Sequence, residues 1–160
     1  MIKNSISEYD FYPFKKRSET DEFELVWAVK NKAIVRHSNC HFNTDCFFTK
    51  MAPYNGYVAI HNSEIPIKWQ GNYSADGLQD LNIHGGITYS KNEGIYTVFG
   101  FDCAHPYDEK NANLYDLKYV MKLTEQMEQQ IMEYARRYKE WRNANNERKK
   151  EILDEIRSIA

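Results

Sequence analysis

Two short segments of this sequence hold the residue types that acid–base chemistry needs. They are His84-Gly85-Gly86-Ile87-Thr88-Tyr89-Ser90 and Gly100-Phe101-Asp102-Cys103-Ala104-His105-Pro106-Tyr107-Asp108. Paired glycines let a backbone approach a ligand closely and expose its N–H groups, and concavities of N–H groups bind anions, phosphates among them. On an extended chain Thr88 and Ser90 share a face with Gly86 and, if the strand is regular, with His84. That pattern predicts a phosphate-directed wall with one titratable group; the alternative is a strand whose glycines make room for a neighbouring Trp or Tyr. In the second segment Asp102 precedes His105 by three residues, so a turn there brings carboxylate and imidazole together. A carboxylate on one ring nitrogen fixes the tautomer and raises the basicity of the other. His105, Asp102 and Asp108, with His84, are also residue types that ligate metals, and the two aspartates could instead cap a turn and the following helix. The expected catalytic set is His84, His105 and Asp102, with Gly85, Gly86, Thr88 and Asp108 as ligand contacts and no metal or organic cofactor. Trp69 and Tyr73, in a polar loop, are candidates to stack on a base or simply to pack that loop.

The elements that must position these residues follow from hydrophobic period. Phe23–Val29 and Ala33–His37 read as strands joined by a turn at Lys30-Asn31-Lys32. Cys46–Thr49 and Tyr57–His61 are further strand candidates, with Pro53, Asn55 and Gly56 marking a turn and residues 70–82 a loop. Ile83–Ser90 and Ile95–Asp102 are expected to form a hairpin over the turn Lys91-Asn92-Glu93-Gly94, which sets His84 almost opposite Phe101 and near Asp102 or His105. After residue 113 there is neither Gly nor Pro, and Leu117, Val120, Met121, Thr124, Met127, Ile131, Tyr134, Ala135, Tyr138 and Trp141 make one helical stripe. Asn113 or Asp116 could cap its start. Asn143-Ala144-Asn145-Asn146 is the expected break, followed by a short helix carrying Ile152, Leu153, Ile156 and Ile159. The predicted class is therefore α+β: a mainly antiparallel sheet packed on a long C-terminal helix, with a short extra terminal helix. Residues 1–142 form one domain and 143–160 a helical extension; both apolar stripes are expected to pack on the sheet, the alternative being that the last helix pairs with another subunit.

With those residues in view, GYVAI, HGGITYS, FGFDCAHPYD and YDLKYV resemble the pattern of a family of short phage and prophage proteins: GYV, a Trp- or Tyr-containing loop, HGG with Leu or Ile and Thr, FD-x-AH-x-x-D, and a helix entered through D-x-x-YV. The match covers about residues 55–120 and falls on Gly56, Tyr57, His84, Gly85, Gly86, Asp102, His105, Asp108, Asp116 and Tyr119, which adds Tyr57 to the ligand contacts. His61 departs from it, standing where the family often has Pro. The resemblance implies a phage or mobile-element setting rather than a reaction. Small phage proteins of that kind often oppose host defences, some by sequestering or cutting nucleotide second messengers.

The totals narrow the classes. The chain has 160 residues, the size of one domain, and with a net charge of −2 no global basic field draws in a nucleic-acid polymer. No apolar run approaches the ~18 residues of a membrane helix, the N-terminus does not read as a signal peptide, and three Cys fit reduced thiols; a cytoplasmic protein of the bacterial host is expected. His37, Cys40, His41 and Cys46 fit no common zinc spacing. His61-Asn62-Ser63 lacks the second His-x-Thr/Ser element that a two-histidine phosphodiesterase requires. Cys103 reads as a small buried hydrophobe more readily than as a nucleophile. Arg136, Arg137, Lys139 and Arg142 read as a solvated basic face. Three functions remain open: hydrolysis of a phosphate-bearing nucleotide-type molecule, its sequestration without chemistry, and a structural or partner-binding role without a ligand.

Overall fold

The computed structural model describes residues 23–37, 54–103, 113 and 116–159. The expected Cys46–Thr49 strand lies outside them. The chain forms strands β1 (Phe23–Val29), β2 (Lys32–His37), β3 (Tyr54–His61), β4 (Tyr89–Glu93) and β5 (Tyr96–Asp102), then one helix, α1 (Leu117–Ile159). The strands make a five-stranded sheet in the order β1-β2-β3-β5-β4, antiparallel throughout. This is the α+β arrangement expected. Among the described residues no helix is long and apolar enough to cross a membrane.

Alternation divides the sheet into two faces. Ile34, Val58, Ile60, Phe99 and Phe101 turn towards α1 and pack with Val120, Met127, Ile131 and Ala135, while Ala33, Val35, Tyr57, Ala59 and Val98 form a second cluster on the opposite face. The helix start is capped by Asp116, whose carboxylate accepts from the Lys118 amide at 3.0 Å. One polar clamp fixes α1 to the sheet. The β1–β2 turn donates to Glu128 from the Asn31 amide, and Lys32 Nζ lies 3.1 Å from Glu128 Oε1. Asn31 also donates to Ala59 O at 2.8 Å, so helix, turn and β3 share one node.

Three expectations need correction. Asn55 and Gly56 do not mark a turn; they lie inside β3, because at Gly56 the sheet comes so close to α1 that an added Cβ would sit 2.5 Å from Phe101 Cε1 and closer still to Thr124 Oγ1. The short terminal helix is not separate. The chain runs through Asn143–Asn146 within a single 43-residue helix about 65 Å long at ~1.5 Å per residue. Asn costs only about 0.7 kcal/mol per helical position, and without Gly or Pro nothing stops propagation. The hairpin register also differs. Glu93 pairs with Tyr96 and Tyr89 with Gly100, so the turn is Gly94-Ile95 rather than Lys91–Gly94. Gly94 takes φ 69°, the left-handed first position of a two-residue hairpin, where glycine meets no steric penalty. Asn62 fastens this turn: its Nδ2 donates to Gly94 O at 3.0 Å, and its Oδ1 accepts from Thr97 Oγ1 at 2.6 Å.

Candidate functional site

The His84-Gly85-Gly86 segment is a turn, not the strand face that alternation suggested. Gly85 and Gly86 have φ of 65° and 79°, a backbone region that residues with a Cβ adopt only rarely, and the Gly86 amide donates to Ile83 O at 2.8 Å. One of the two glycine amides is thus spent on the turn itself. Gly85 is exposed and His84 is half-buried. The chain then buries Ile87 in the helix-side core and exposes the Thr88 side chain, while the Thr88 amide joins the sheet by donating to Gly100 O at 2.9 Å. His84 therefore does not lie opposite Phe101, as expected. It precedes the hairpin and leads into it at the end where β5 finishes in Asp102.

That sheet end carries a polar and aromatic group on the face away from α1. Asn55 pairs with Asp102 and Tyr57 with Gly100 across β3 and β5, and Tyr89 pairs with Gly100 from the other side. Gly100 is glycine for a reason that belongs to this group: an added Cβ would lie 2.5 Å from Tyr57 Cδ1. The Tyr57 and Tyr89 rings meet edge to face, 5.4 Å between centroids, and Asn55 Nδ2 donates to the Tyr57 hydroxyl at 3.1 Å. Asn55 Oδ1 is buried and has no hydrogen-bond partner. A buried acceptor left unpaired costs about 1–3 kcal/mol, so this atom marks a place where a donor would be accepted. Half-buried Asp102 stands at the same end. Asn55 and Tyr89 are the members sequence reasoning missed; the signal was the two-residue spacing of Asn55 and Tyr57, which puts both on one face of an extended chain.

The other expected site residues divide. Tyr57 belongs to this group, but its ring is buried. Trp69 does not belong to it. The indole is fully buried on the helix side of the sheet, 5.4 Å from the Tyr134 ring, and donates from Nε1 to Asp76 O at 3.1 Å. Trp69 and Tyr57 lie on opposite faces and cannot wall one pocket. Trp69 anchors its loop because only the core offers an area matching an indole. His105 and Asp108 lie outside the described residues. Among those described, no three His, Cys, Asp or Glu residues come together to hold a metal.

The remaining motif candidates have structural roles. His61 Nδ1 accepts from the Ser63 amide at 3.1 Å and caps a single 3₁₀ turn, while its ring packs edge-on against Tyr96. Cys103 is buried in the main core. Arg136 and Arg137 bind Glu133 and Glu140 along the exposed face of α1. Among the cavities by the loop and the helix are one of about 460 Å³ between Asp76, Asp80, Arg137 and Tyr138, and a groove of about 860 Å³ between Ile67 and the later turns of α1. Neither has His84, Gly85, Gly86, Thr88 or Asp102 in its wall. Comparison with protein-family models, with curated proteins and with solved structures finds no match for this chain.

Proposed function

We propose that the protein binds a small phosphate-bearing, nucleotide-type molecule at the His84–Gly86 turn and hydrolyses it by imidazole acid–base chemistry. The observation that carries this reading is the pair of consecutive left-handed glycines next to a half-buried imidazole, leading into the sheet end that holds Asp102 and the unpaired Asn55 acceptor. The exposed Gly85 backbone and the Thr88 hydroxyl take the phosphate. One of His84 and His105 acts neutral, as base for the attacking water; the other acts protonated, as acid for the leaving oxygen, with Asp102 orienting an imidazole. The phage-type resemblance makes a host nucleotide signal the ligand class and the host cytoplasm the place of action. The exposed end of α1 takes no part in ligand binding.

The test is incubation with a panel of cyclic nucleotides and ADP-ribose derivatives, chromatographed before and after heat. New products that disappear in His84→Ala and in His105→Ala are expected. Intact ligand released only by denaturation would replace hydrolysis with sequestration. Neither retention nor turnover across the panel refutes the ligand reading and leaves a structural role.

A further inference from the structure

We propose that the groove between the Ile67 turn and the later turns of α1 is a docking site for an acidic segment of a partner protein that carries large apolar side chains. The groove shares no residue with the His84–Gly86 turn and stands independently of the ligand read there.

The second apolar stripe of the helix does not pack on the sheet as expected. A strand of eight residues spans only about 26 Å at ~3.3 Å per residue, and α1 runs well past it. Beyond Ala135 no described residue of α1 is fully buried, and from Lys139 to Ser158 only Asn145 is partly covered. The loop supplies a second wall here. The 3₁₀ turn Ile67–Trp69 sends Trp69 into the core, so Ile67, two residues earlier on a turn of three, faces outwards. Ile67 is 80% exposed, Trp141 61% and Ile152 47%. All three line one groove of about 860 Å³. From Tyr138 to Ile152 its floor runs about 21 Å at ~1.5 Å per residue.

The charge of the groove indicates its occupant. Lys68, Arg142, Arg148 and Lys149 line it, and among the described residues no Asp or Glu does. At about 100° per residue, Arg148 flanks the stripe of Tyr138, Trp141, Asn145 and Ile152 on one side, and Arg142 and Lys149 flank it on the other. Glu140, Glu147 and Glu151 fall more than about 100° from its centre, and Glu155 lies past its end. Earlier on α1, Arg136 and Arg137 are paired with Glu133 and Glu140. Among the described residues no ion pair uses any of the four groove cations. Lys68 Nζ lies 4.7 Å from the centre of the Tyr138 ring, which packs in turn on Trp141 at 5.9 Å. An apolar floor under a rim of one sign complements carboxylates set around apolar side chains. Trp, Tyr and Arg are also the residue types that carry most of the energy in protein contacts. Other occupants match less of the groove. A second copy laid on this face would bring its own Arg142, Arg148 and Lys149 against these. A nucleic acid offers anions but little aliphatic surface for Ile67 and Ile152. A bilayer surface is too flat to enter between loop and helix.

The test uses the full chain and a random peptide library about 16 residues long, enough to cover ~21 Å even as a helix. Of the three tryptophans, Trp27 and Trp69 are buried and Trp141 is exposed, so acrylamide quenching of the emission reads Trp141. Enriched peptides are expected to be net acidic, to contain Phe, Leu or Trp, and to protect Trp141 from acrylamide. The double variant Arg148→Glu, Lys149→Glu should weaken their binding at least about tenfold, and Ile67→Ser should do the same. Circular dichroism should match wild type in both variants, the residues being exposed. No enrichment, enrichment without an acidic bias, or binding indifferent to either variant overturns the proposal. So does tighter binding of an oligothymidylate, or of phosphatidylcholine–phosphatidylserine vesicles, than of the peptides. A dimer in sedimentation whose Trp141 is already protected overturns it in favour of a second copy.

Discussion

Replacing Gly56 with Ala adds one methyl group at the closest approach of sheet and helix. That carbon would meet Phe101 Cε1 at 2.5 Å and Cζ at 2.9 Å, and Thr124 Oγ1 more closely still. Ordinary carbon contacts begin near 3.5 Å, so the shortfall is about 1 Å. Neither neighbour can yield into solvent: Phe101 is 1% exposed and Thr124 fully buried, its hydroxyl donating to Val120 O at 2.8 Å. Relief requires α1 to lift from β3 or the Phe101 ring to leave its rotamer. Overpacking of this kind costs about 1–3 kcal/mol, and with two immobile neighbours the upper end applies. A loss of about 3 kcal/mol corresponds to roughly 6–12 °C in Tm for a chain of this size. Urea unfolding followed by tryptophan fluorescence measures it. Phe101→Leu removes ring atoms from the space the methyl group needs, so the double variant should lose at least about 1 kcal/mol less than the sum of the singles. A cost of Gly56→Ala under about 0.5 kcal/mol, or additivity within that margin, refutes the close-contact account.

Glu128→Ala leaves partly buried Lys32 and the Asn31 amide without their shared acceptor; urea unfolding should show a loss of about 1.5–3 kcal/mol, the range for a hydrogen bond to a charged group. Asn62→Ala removes both side-chain bonds at the β4–β5 turn, and hydrogen exchange should speed up at Tyr96 and Thr97 before it does in β2. The Arg136 side-chain hydrogen bond first, then that of Arg137 and the charges of both, hold the Glu133 carboxyl below its ordinary value of 4.5 against the opposing effect of desolvation. A carboxyl whose folded value is depressed contributes stability above its unfolded value, lost as the pH falls through the folded one. Glu133→Gln should therefore leave the midpoint unchanged in relative terms from pH 7 to 5.5 and flatten the decline in helix signal below pH 4.5, as followed by circular dichroism.

The first hairpin was legible because two β-branched and aromatic runs flank a short polar turn, a pattern that needs no knowledge of distant residues. The helical stripe was legible for the same reason, from Leu117 to Ala135. Gly56 was misread because Asn-Gly is a hairpin signal in local sequence, whereas here the glycine answers to Thr124 on another element. The β4–β5 register was misread because Gly94 suits either the end of a four-residue turn or the start of a two-residue one. The choice is made by Asn62, which binds the turn from outside it. Trp69 looked like a loop aromatic available to a ligand because burial of a loop residue depends on Tyr134 and Asp76, which no local pattern reveals. The site residues fared likewise: Gly85 and Gly86 were recognised as unusual backbone, but not as a turn that leaves the sheet.

The chain between Asn62 and Thr88 has no sheet of its own. It is held to the body by Trp69, Leu78 and Ile87, each sunk in the main core, and by hydrogen bonds between those points. Lengthening a loop between fixed points costs only about 0.6 kcal/mol per doubling. The exposed stretch from Asn72 to Ser74 can therefore change in length and composition with little reference to the rest of the molecule. Selection acting on that stretch has a nearly free hand, while the same number of changes spread over the three anchors would cost the protein its fold.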